Sequence, residues 1–146
     1  MNVRIVVADE RQAAFYDISR PSGPLAVAGG VENEAGGKRD FDLESDRPGR
    51  RSSSTGNHHG VDGERSTVLH ELALYAKTVA QRIYEDCNRR EFDKLVLVAP
   101  PKVLGMLRQM LHASCKDAIA SEIPKDLLHR GPEAIMGAVP REVFFH

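Results

Sequence analysis

A polar stretch of the chain, RPGRRSSSTGNHHGVDGER at residues 47–65, carries many of the side chains that could do chemistry. Its adjacent histidines, His58 and His59, could bind zinc, nickel or copper through their imidazoles. Adjacent residues of an extended segment point to opposite sides, so such a pair rarely chelates one ion without further ligands. The remaining histidines are scattered without ligand spacing. We therefore treat His58 and His59 as loop candidates and predict no metal site.

The same stretch invites comparison with phosphate loops and catalytic loops. Gly56 and Gly60 are four residues apart, but no Gly-Lys-Ser follows them, which disfavours nucleotide binding of the Walker type. Serine and threonine at 52–55 lie near His58 in sequence, yet a nucleophile and its base need a preorganised frame. The sequence thus predicts no catalytic residue and no cofactor, and it favours a protein that is not an enzyme.

Three arginines, Arg47, Arg50 and Arg51, form a basic cluster with no acidic residue between positions 47 and 59. Guanidinium groups suit phosphate oxygens, and basic arms commonly contact the nucleic-acid backbone. From Lys38 to Arg65, however, six basic and six acidic residues cancel. Two interpretations stay open here: a solvated loop whose charges pair internally, and an arm that contacts RNA.

The DRPGR motif at 46–50 contains a turn signal, because Pro-Gly favours a tight turn. Such a turn would bring Asp46 near Arg50, with Gly49 inside the turn. Asp46 and Gly49 are therefore two further loop candidates.

Lys102 is a candidate outside this loop. It follows the buried strand pattern KLVLVAP and opens a helix that is entered through Pro101. A helix N-terminus at the end of a buried strand is where α/β sheets usually bind ligands, so Lys102 is a candidate for anion binding. Gly105, one turn further on, is interpreted as allowing close packing.

Length and composition limit the function classes. A chain of 146 residues fits a single domain, 1–146, and its net charge of −1 argues against coating by nucleic acid over the whole surface. The sequence shows neither a signal-like N-terminus nor an apolar run of the length that spans a bilayer. Cys87 and Cys115 have no framework spacing, so we expect two reduced, unremarkable thiols in a cytoplasmic protein.

Hydrophobic patterning predicts the elements that position these residues. VRIVVAD at 3–9, AAFYDISR at 13–20 and LAVAGGVEN at 25–33 predict three antiparallel strands, the third bulged at its glycine pair. No hydrophobic period survives from about 33 to 64, which predicts a long flexible loop. Residues 66–90 then predict an amphipathic helix, capped by the serine or threonine at its start and buried along a stripe that begins with Val68.

The second half of the chain predicts alternating strands and helices. The segments are a buried parallel strand at 94–100, a helix at 100–115, a weaker strand from 117 that ends at Pro124, and a short helix at 131–140. The order is an N-terminal antiparallel meander followed by α-β-α-β-α. We predict a three-layer α/β fold with a mixed sheet of about five strands.

Three motifs, DRPGR, KLVLVAPPKVLGMLRQML at 94–111 and EIPKDL at 122–127, resemble the bacterial host attachment protein family. The resemblance covers essentially the whole chain, and the VAPPKxLGxLR segment is its specific part. That family looks related to the middle domain of the archaeal and eukaryotic peptide-chain release factor, which implies a three-layer fold with a long exposed loop before a long helix. The family name describes a phenotype and implies no established chemical activity.

The implied relation also sets an expectation about chemistry. The release-factor domain works through a Gly-Gly-Gln tip, whereas the three glutamines here follow no Gly-Gly pair. Our first hypothesis is a non-enzymatic domain that binds ribosome, tRNA or other RNA through the 33–64 loop. The alternatives are a protein-interaction factor that affects attachment indirectly and a hydrolase that uses unidentified loop residues.

Overall fold

The protein forms a single five-stranded sheet covered by helices on both faces. The computed structural model describes residues 1–34 and 57–145, with side chains from residue 66 onward in the second range. The strands are β1 (Val3–Ala8), β2 (Gln12–Ile18), β3 (Ala26–Glu32), β4 (Lys94–Val98) and β5 (Ile119–Ile123). The helices are α1 (Asn57–Asn88), α2 (Pro101–Met110), α3 (Ala113–Lys116) and α4 (Pro132–Ala138), followed by a 3-10 helix (Arg141–Phe144).

Strand β1 lies at the centre of the sheet, whose strand order is β3-β2-β1-β4-β5. It pairs with β2 in an antiparallel ladder and with β4 in a parallel ladder, and β5 extends the parallel half. All six residues of β1 are buried, as are the last four of β4, and apart from Arg4 these buried residues are all apolar. The predicted mixed α/β sheet with an N-terminal meander is confirmed.

The two faces of the sheet bury different side chains. Alternate residues of β1 separate onto them: Val3, Ile5 and Val7 pack with α4 and the 3-10 helix, whereas Val6 and Ala8 pack with α1, α2 and α3. Helices therefore cover both faces and give the predicted three layers. The layer formed by α1 is the larger, because that helix contributes a continuous stripe of buried residues. They are Leu72, Tyr75, Ala76, Val79, Ala80 and Ile83.

Helix α1 is longer than its sequence predicts. It begins at Asn57 rather than at the predicted cap near residue 66, so the last eight positions of the predicted 33–64 loop are helical. Val68, predicted to be buried, is 42% exposed because the helix has passed the end of the sheet at that point. Residues 35–56 of the predicted loop lie outside the described residues.

The predicted helix at 100–115 is two helices. Leu111 and His112 have extended backbone angles and separate α2 from α3. The imidazole Nδ1 of His112 accepts a hydrogen bond from the backbone N–H of Ser114 at 3.1 Å. This bond satisfies a free N–H at the start of α3, so the His112 side chain acts as the N-cap of the second helix. Hydrophobic periodicity gives no sign of such a cap.

Strand β3 contains the predicted bulge. Phe15 of β2 pairs with Gly29, but its neighbour Tyr16 pairs with Val27, so one extra residue is inserted in β3. Gly29 has φ of 132°, a conformation that favours glycine, and a Cβ there would lie 2.6 Å from Nη2 of Arg82. The same Nη2 donates to the carbonyl of Ala28 at 2.8 Å, so the bulge and α1 are joined.

We predict that Gly29→Ala lowers the free energy of unfolding by about 1–3 kcal/mol, because it strains the backbone and displaces Arg82. Gly105→Ala is the matched control. A Cβ at Gly105 meets nothing within 4 Å, so the close-packing interpretation of this glycine is wrong. In α2 the control should raise stability by about 0.5–1 kcal/mol. Urea unfolding of both variants measures the difference, and equal effects of the two substitutions would contradict this account of the bulge.

A buried ion network fastens α1 to β1 and β2. The guanidinium of Arg4 is 1% exposed and contacts Asp17, its direct cross-strand partner, and Asp86 of α1 at 2.7 Å. Asp86, also 1% exposed, receives a second bond from Nε of Arg82 at 3.0 Å. Burial alone would lower the pKa of Arg4, but hydrogen bonds and charge attraction from Asp17 and Asp86 raise it, so Arg4 stays charged.

We predict that Asp86→Ala lowers the free energy of unfolding by about 3–5 kcal/mol, because it deprives the buried Arg4 guanidinium of its one buried carboxylate partner. Glu85→Ala removes an exposed carboxylate from the same turn of the helix and should change stability by less than about 0.5 kcal/mol. Chemical denaturation of the two variants provides the comparison. A small, equal loss in both would show that the network does not hold α1 in place.

Candidate functional site at the carboxyl edge of the sheet

Three parallel strands end together at one edge of the sheet, which we call the carboxyl edge. β1, β4 and β5 end at Ala8, Val98 and Ile123, and the backbone N–H of Ala99 still donates to the carbonyl of Ile123 at 3.1 Å. In α/β sheets, ligands bind outside the carboxyl ends of the strands. The residues that follow these strands are therefore the candidate site.

Three backbone hydrogen bonds fix Asp9 at this edge. Its carboxylate Oδ1 accepts backbone hydrogen bonds from Arg11 at 2.8 Å and Gln12 at 2.9 Å, and its own N–H donates to the carbonyl of Gln12. These bonds form the tight turn between β1 and β2, as expected for aspartate in a turn. The second oxygen, Oδ2, lies 3.8 Å from Nε2 of His129, whose side chain is 72% exposed.

The Asp9–His129 pair is open to water and loosely spaced. A general base needs a heavy-atom distance of about 2.6–3.2 Å to the group whose proton it takes. The 3.8 Å separation exceeds that range, and the exposed imidazole has no second contact that would fix its orientation among the described residues. The geometry suits a polar binding surface better than a preorganised catalytic pair.

Tyr75 anchors α1 to the same edge. Its hydroxyl donates to the backbone carbonyl of Asp9 at 2.9 Å, and its side chain is buried. Burial first, and then the negative charge of Asp9, raise the pKa of this phenol well above its usual value. Tyr75 therefore remains a protonated hydrogen-bond donor, and its role is to hold the helix.

Helix α1 continues past this anchor. Leu72 already packs in the core, so the 15 helical residues from Asn57 to Glu71 precede it and span about 22 Å at about 1.5 Å each. The apolar residues Val68 and Leu69 of this part are 42% and 47% exposed. The projecting part of α1 therefore presents apolar surface next to the polar carboxyl edge.

Lys102 lies at this edge as predicted, in the first turn of α2 and exposed. Within the described residues, no carboxylate lies within ion-pair distance of Lys102, nor of the exposed Lys125 that follows β5. Arg108, six residues beyond Lys102, is instead paired with Glu122 of β5. Two cations without an acidic partner thus accompany Asp9 and His129.

The other predicted candidates fall into two groups. Arg47, Arg50, Arg51, Asp46 and Gly49 lie outside the described residues. His58 and His59 belong to the first turns of α1, so the argument from an extended segment does not apply to them. Within the described ranges, no group of three or more histidine, cysteine or acidic side chains is arranged to hold a metal ion.

The sequence reasoning missed Asp9, Tyr75 and His129, which belong to three separate segments. The available signal was the position of Asp9 directly after β1, since residues after a buried strand commonly line a site. The described helices also include none that is both long and apolar enough to cross a membrane.

A second surface feature is an open groove of about 570 Å³ along α1. Its described lining residues are polar or charged and come from one face of that helix: Lys77, Thr78, Gln81, Arg82 and Glu85. Arg82 is already engaged with Asp86 and Ala28. The groove therefore offers few free groups, and the carboxyl edge remains the stronger candidate.

Comparison with known proteins adds two similarities. A family model described as "Protein required for attachment to host cells" matches residues 4–139. The chain is also 36% identical over 52 residues to Uncharacterized protein RP470 of Rickettsia prowazekii (strain Madrid E). That alignment covers 36% of this chain and 35% of the relative, so it spans about a third of either protein.

We predict that Tyr75→Phe lowers the free energy of unfolding by about 1 kcal/mol, because the buried carbonyl of Asp9 loses its donor. Tyr84→Phe is the matched control, since the Tyr84 hydroxyl has no protein hydrogen bond among the described residues. Urea denaturation should separate the two variants. Identical stabilities would indicate that the Tyr75 hydroxyl does not anchor α1.

Proposed function

Since the chain belongs to the family of proteins required for attachment to host cells, which carries no assigned chemistry, we propose a binding function for it. In this proposal the protein is a cytoplasmic, non-enzymatic domain that contacts ribosome, tRNA or another RNA at the carboxyl edge. Its relation to the release-factor middle domain, without the Gly-Gly-Gln tip, is part of the same proposal.

The observation that carries the proposal is the presence of two exposed lysines just after the ends of β4 and β5. Lys102 and Lys125 are exposed there without acidic partners among the described residues. The chain also passes out of the described residues at this edge, where the backbone N–H of Asn33 donates to the carbonyl of Arg11 at 2.7 Å. It returns as α1, whose first half extends beyond the same edge.

The segment between these two points contains Arg47, Arg50 and Arg51. The described chain that leads into this segment ends at the edge that also carries Lys102. Arginine forks and lysine ammonium groups bind phosphate oxygens without reading sequence, which suits contact with an RNA backbone. The net charge of −1 for the whole chain means that such contact is local.

The test is binding of the protein to ribosomes and to a single-stranded RNA over a range of salt concentrations. Each phosphate contact contributes about −0.7 to the slope of log affinity against log salt. Changing Arg47, Arg50 and Arg51 to alanine should weaken binding at least tenfold and make that slope shallower by about two. Co-sedimentation with ribosomes and fluorescence anisotropy with RNA measure the two effects.

The matched control carries the same loss of charge at the opposite edge of the sheet. Arg20, Lys116 and Arg141 are exposed and lie beside the end of β2, the start of β5 and the start of β4. Alanine at these three positions should leave both affinity and salt slope unchanged. Equal loss in the two triple variants would indicate non-specific attraction, and no binding by wild type at low salt would refute the proposal.

The exposed apolar residues of α1 favour a second candidate, association with another protein. Val68 and Leu69 are exposed apolar residues on the projecting part of the helix. Binding through this surface would be insensitive to salt and would be lost when Val68 and Leu69 are changed to serine. The same serine variant should retain RNA binding if the first proposal is correct.

A further inference from the structure

The two cysteines of the chain meet in the structure although 27 residues separate them in the sequence. Cys115 of α3 is fully buried in the core beneath α1, and the half-buried Cys87 in the last turn of α1 packs against the same cluster. Isolated, unrelated thiols were expected from the sequence. The fold instead brings them together at the edge of the sheet opposite the carboxyl edge.

A pair of aromatic rings in contact shows how the two helices face each other. The rings of Tyr84 and His112 have centroids 4.6 Å apart and are tilted by 34°. Cys87 follows Tyr84 by three positions on α1. Cys115 follows His112 by one turn, since its N–H donates to the His112 carbonyl at 2.9 Å. The ring contact therefore places the two cysteines in the same region between α1 and α3.

The environment of the buried thiol agrees with this arrangement. Burial raises the pKa of Cys115 to about 11, and hydrogen bonding and charge interaction with Cys87 act in the same direction. Ser114 acts in the opposite sense. Since a thiolate is the attacking species in disulfide exchange, the buried Cys115 is poorly suited to react first, and the more accessible Cys87 is better suited.

We propose that Cys87 and Cys115 form a reversible intramolecular disulfide, which makes this pair a site for thiol–disulfide exchange with a low-molecular-weight disulfide such as oxidised glutathione. The site is independent of the proposed RNA contact, because it lies at the other edge of the sheet. The exchange requires only the two thiols and the small disulfide.

The exchange proceeds in two balanced steps. The thiolate of Cys87 attacks one sulfur of the small disulfide, which forms a mixed disulfide at Cys87 and releases one small thiolate. The thiolate of Cys115, after losing its proton to solvent, attacks Sγ of Cys87 and releases the second small thiol. Overall, two protein thiols are oxidised to one disulfide, and one small disulfide is reduced to two thiols.

The closed bond would tie the end of α1 to the short helix before β5. It encloses the chain from Cys87 to Cys115, which contains β4 and α2. A crosslink around a loop of this length restricts the unfolded chain and should raise the melting temperature by roughly 5–10 °C. The reduced and oxidised proteins should therefore differ in thermal stability without a change of fold.

The test begins with the fully reduced full-length protein and an excess of oxidised glutathione. After unfolding and alkylation, the free thiols should fall from two to none, and non-reducing peptide mapping should identify a linked peptide with both cysteines. The product should be monomeric and should return to two free thiols with dithiothreitol. Thermal unfolding before and after treatment checks the predicted stabilisation.

Two variants distinguish the roles of the cysteines. Cys115→Ala should stop at the mixed disulfide with glutathione on Cys87, and Cys87→Ala should react at least tenfold more slowly, because Cys115 is buried. If either variant fails to fold, the peptide map of the wild-type protein still decides the question. A stable glutathione adduct on Cys87 beside a free Cys115, a disulfide between chains or two unreacted thiols would overturn the proposal.

Discussion

The buried charge of Arg4 is the constraint around which the α1 side of the fold is arranged. A guanidinium that is 1% exposed must have its donors satisfied, and it finds acceptors on two other elements, Asp17 of β2 and Asp86 of α1. The ring of Phe92 lies 5.3 Å from the guanidinium carbon and closes the remaining side. Exchange of Arg4 for an aliphatic residue would leave Asp86 buried beside fewer cations.

The network continues from Asp86 to the edge of the sheet. Arg82 bonds Asp86, lies 5.0 Å from the ring centre of Phe15 and donates to the carbonyl of Ala28 in β3. A single line of contacts thus joins the central strand, the long helix and the bulged edge strand. This connection explains why position 29 is glycine, because a side chain there would occupy the position of the guanidinium.

The two ends of the parallel strands carry different groups. The carboxyl edge carries exposed cations, the Asp9–His129 pair and the projecting part of α1, all of which suit contact with a large partner. The opposite edge carries the buried Arg4 network and the two thiols, of which Cys115 is buried and Cys87 is half-buried. The contacts at this opposite edge fix the C-terminal end of α1, while its N-terminal end extends past the carboxyl edge.

Much of the fold could be predicted because buried strands consist mainly of apolar residues, and such runs can be read from the sequence. The apolar runs at residues 5–8 of β1 and 95–98 of β4 indicate central strands, and proline at the start of α2 marks a helix entry. The candidate site could be predicted only at Lys102, where a local strand-to-helix pattern was sufficient. Asp9, Tyr75 and His129 come together through tertiary contacts over 66 and 120 residues, which no local pattern encodes. The Cys87–Cys115 contact was missed for the same reason.

The position of β1 has a consequence for the order in which the chain can fold. Its hairpin with β2 can form as soon as the first 20 residues have been synthesised, but its parallel neighbour β4 begins only at Lys94. Until then one edge of a largely apolar strand is unpaired. Long-range parallel pairing is slow, and open apolar strand edges promote aggregation. The nascent chain is therefore most prone to aggregation when α1 has been synthesised and β4 has not. Chaperone binding to that intermediate is the expected consequence of this topology.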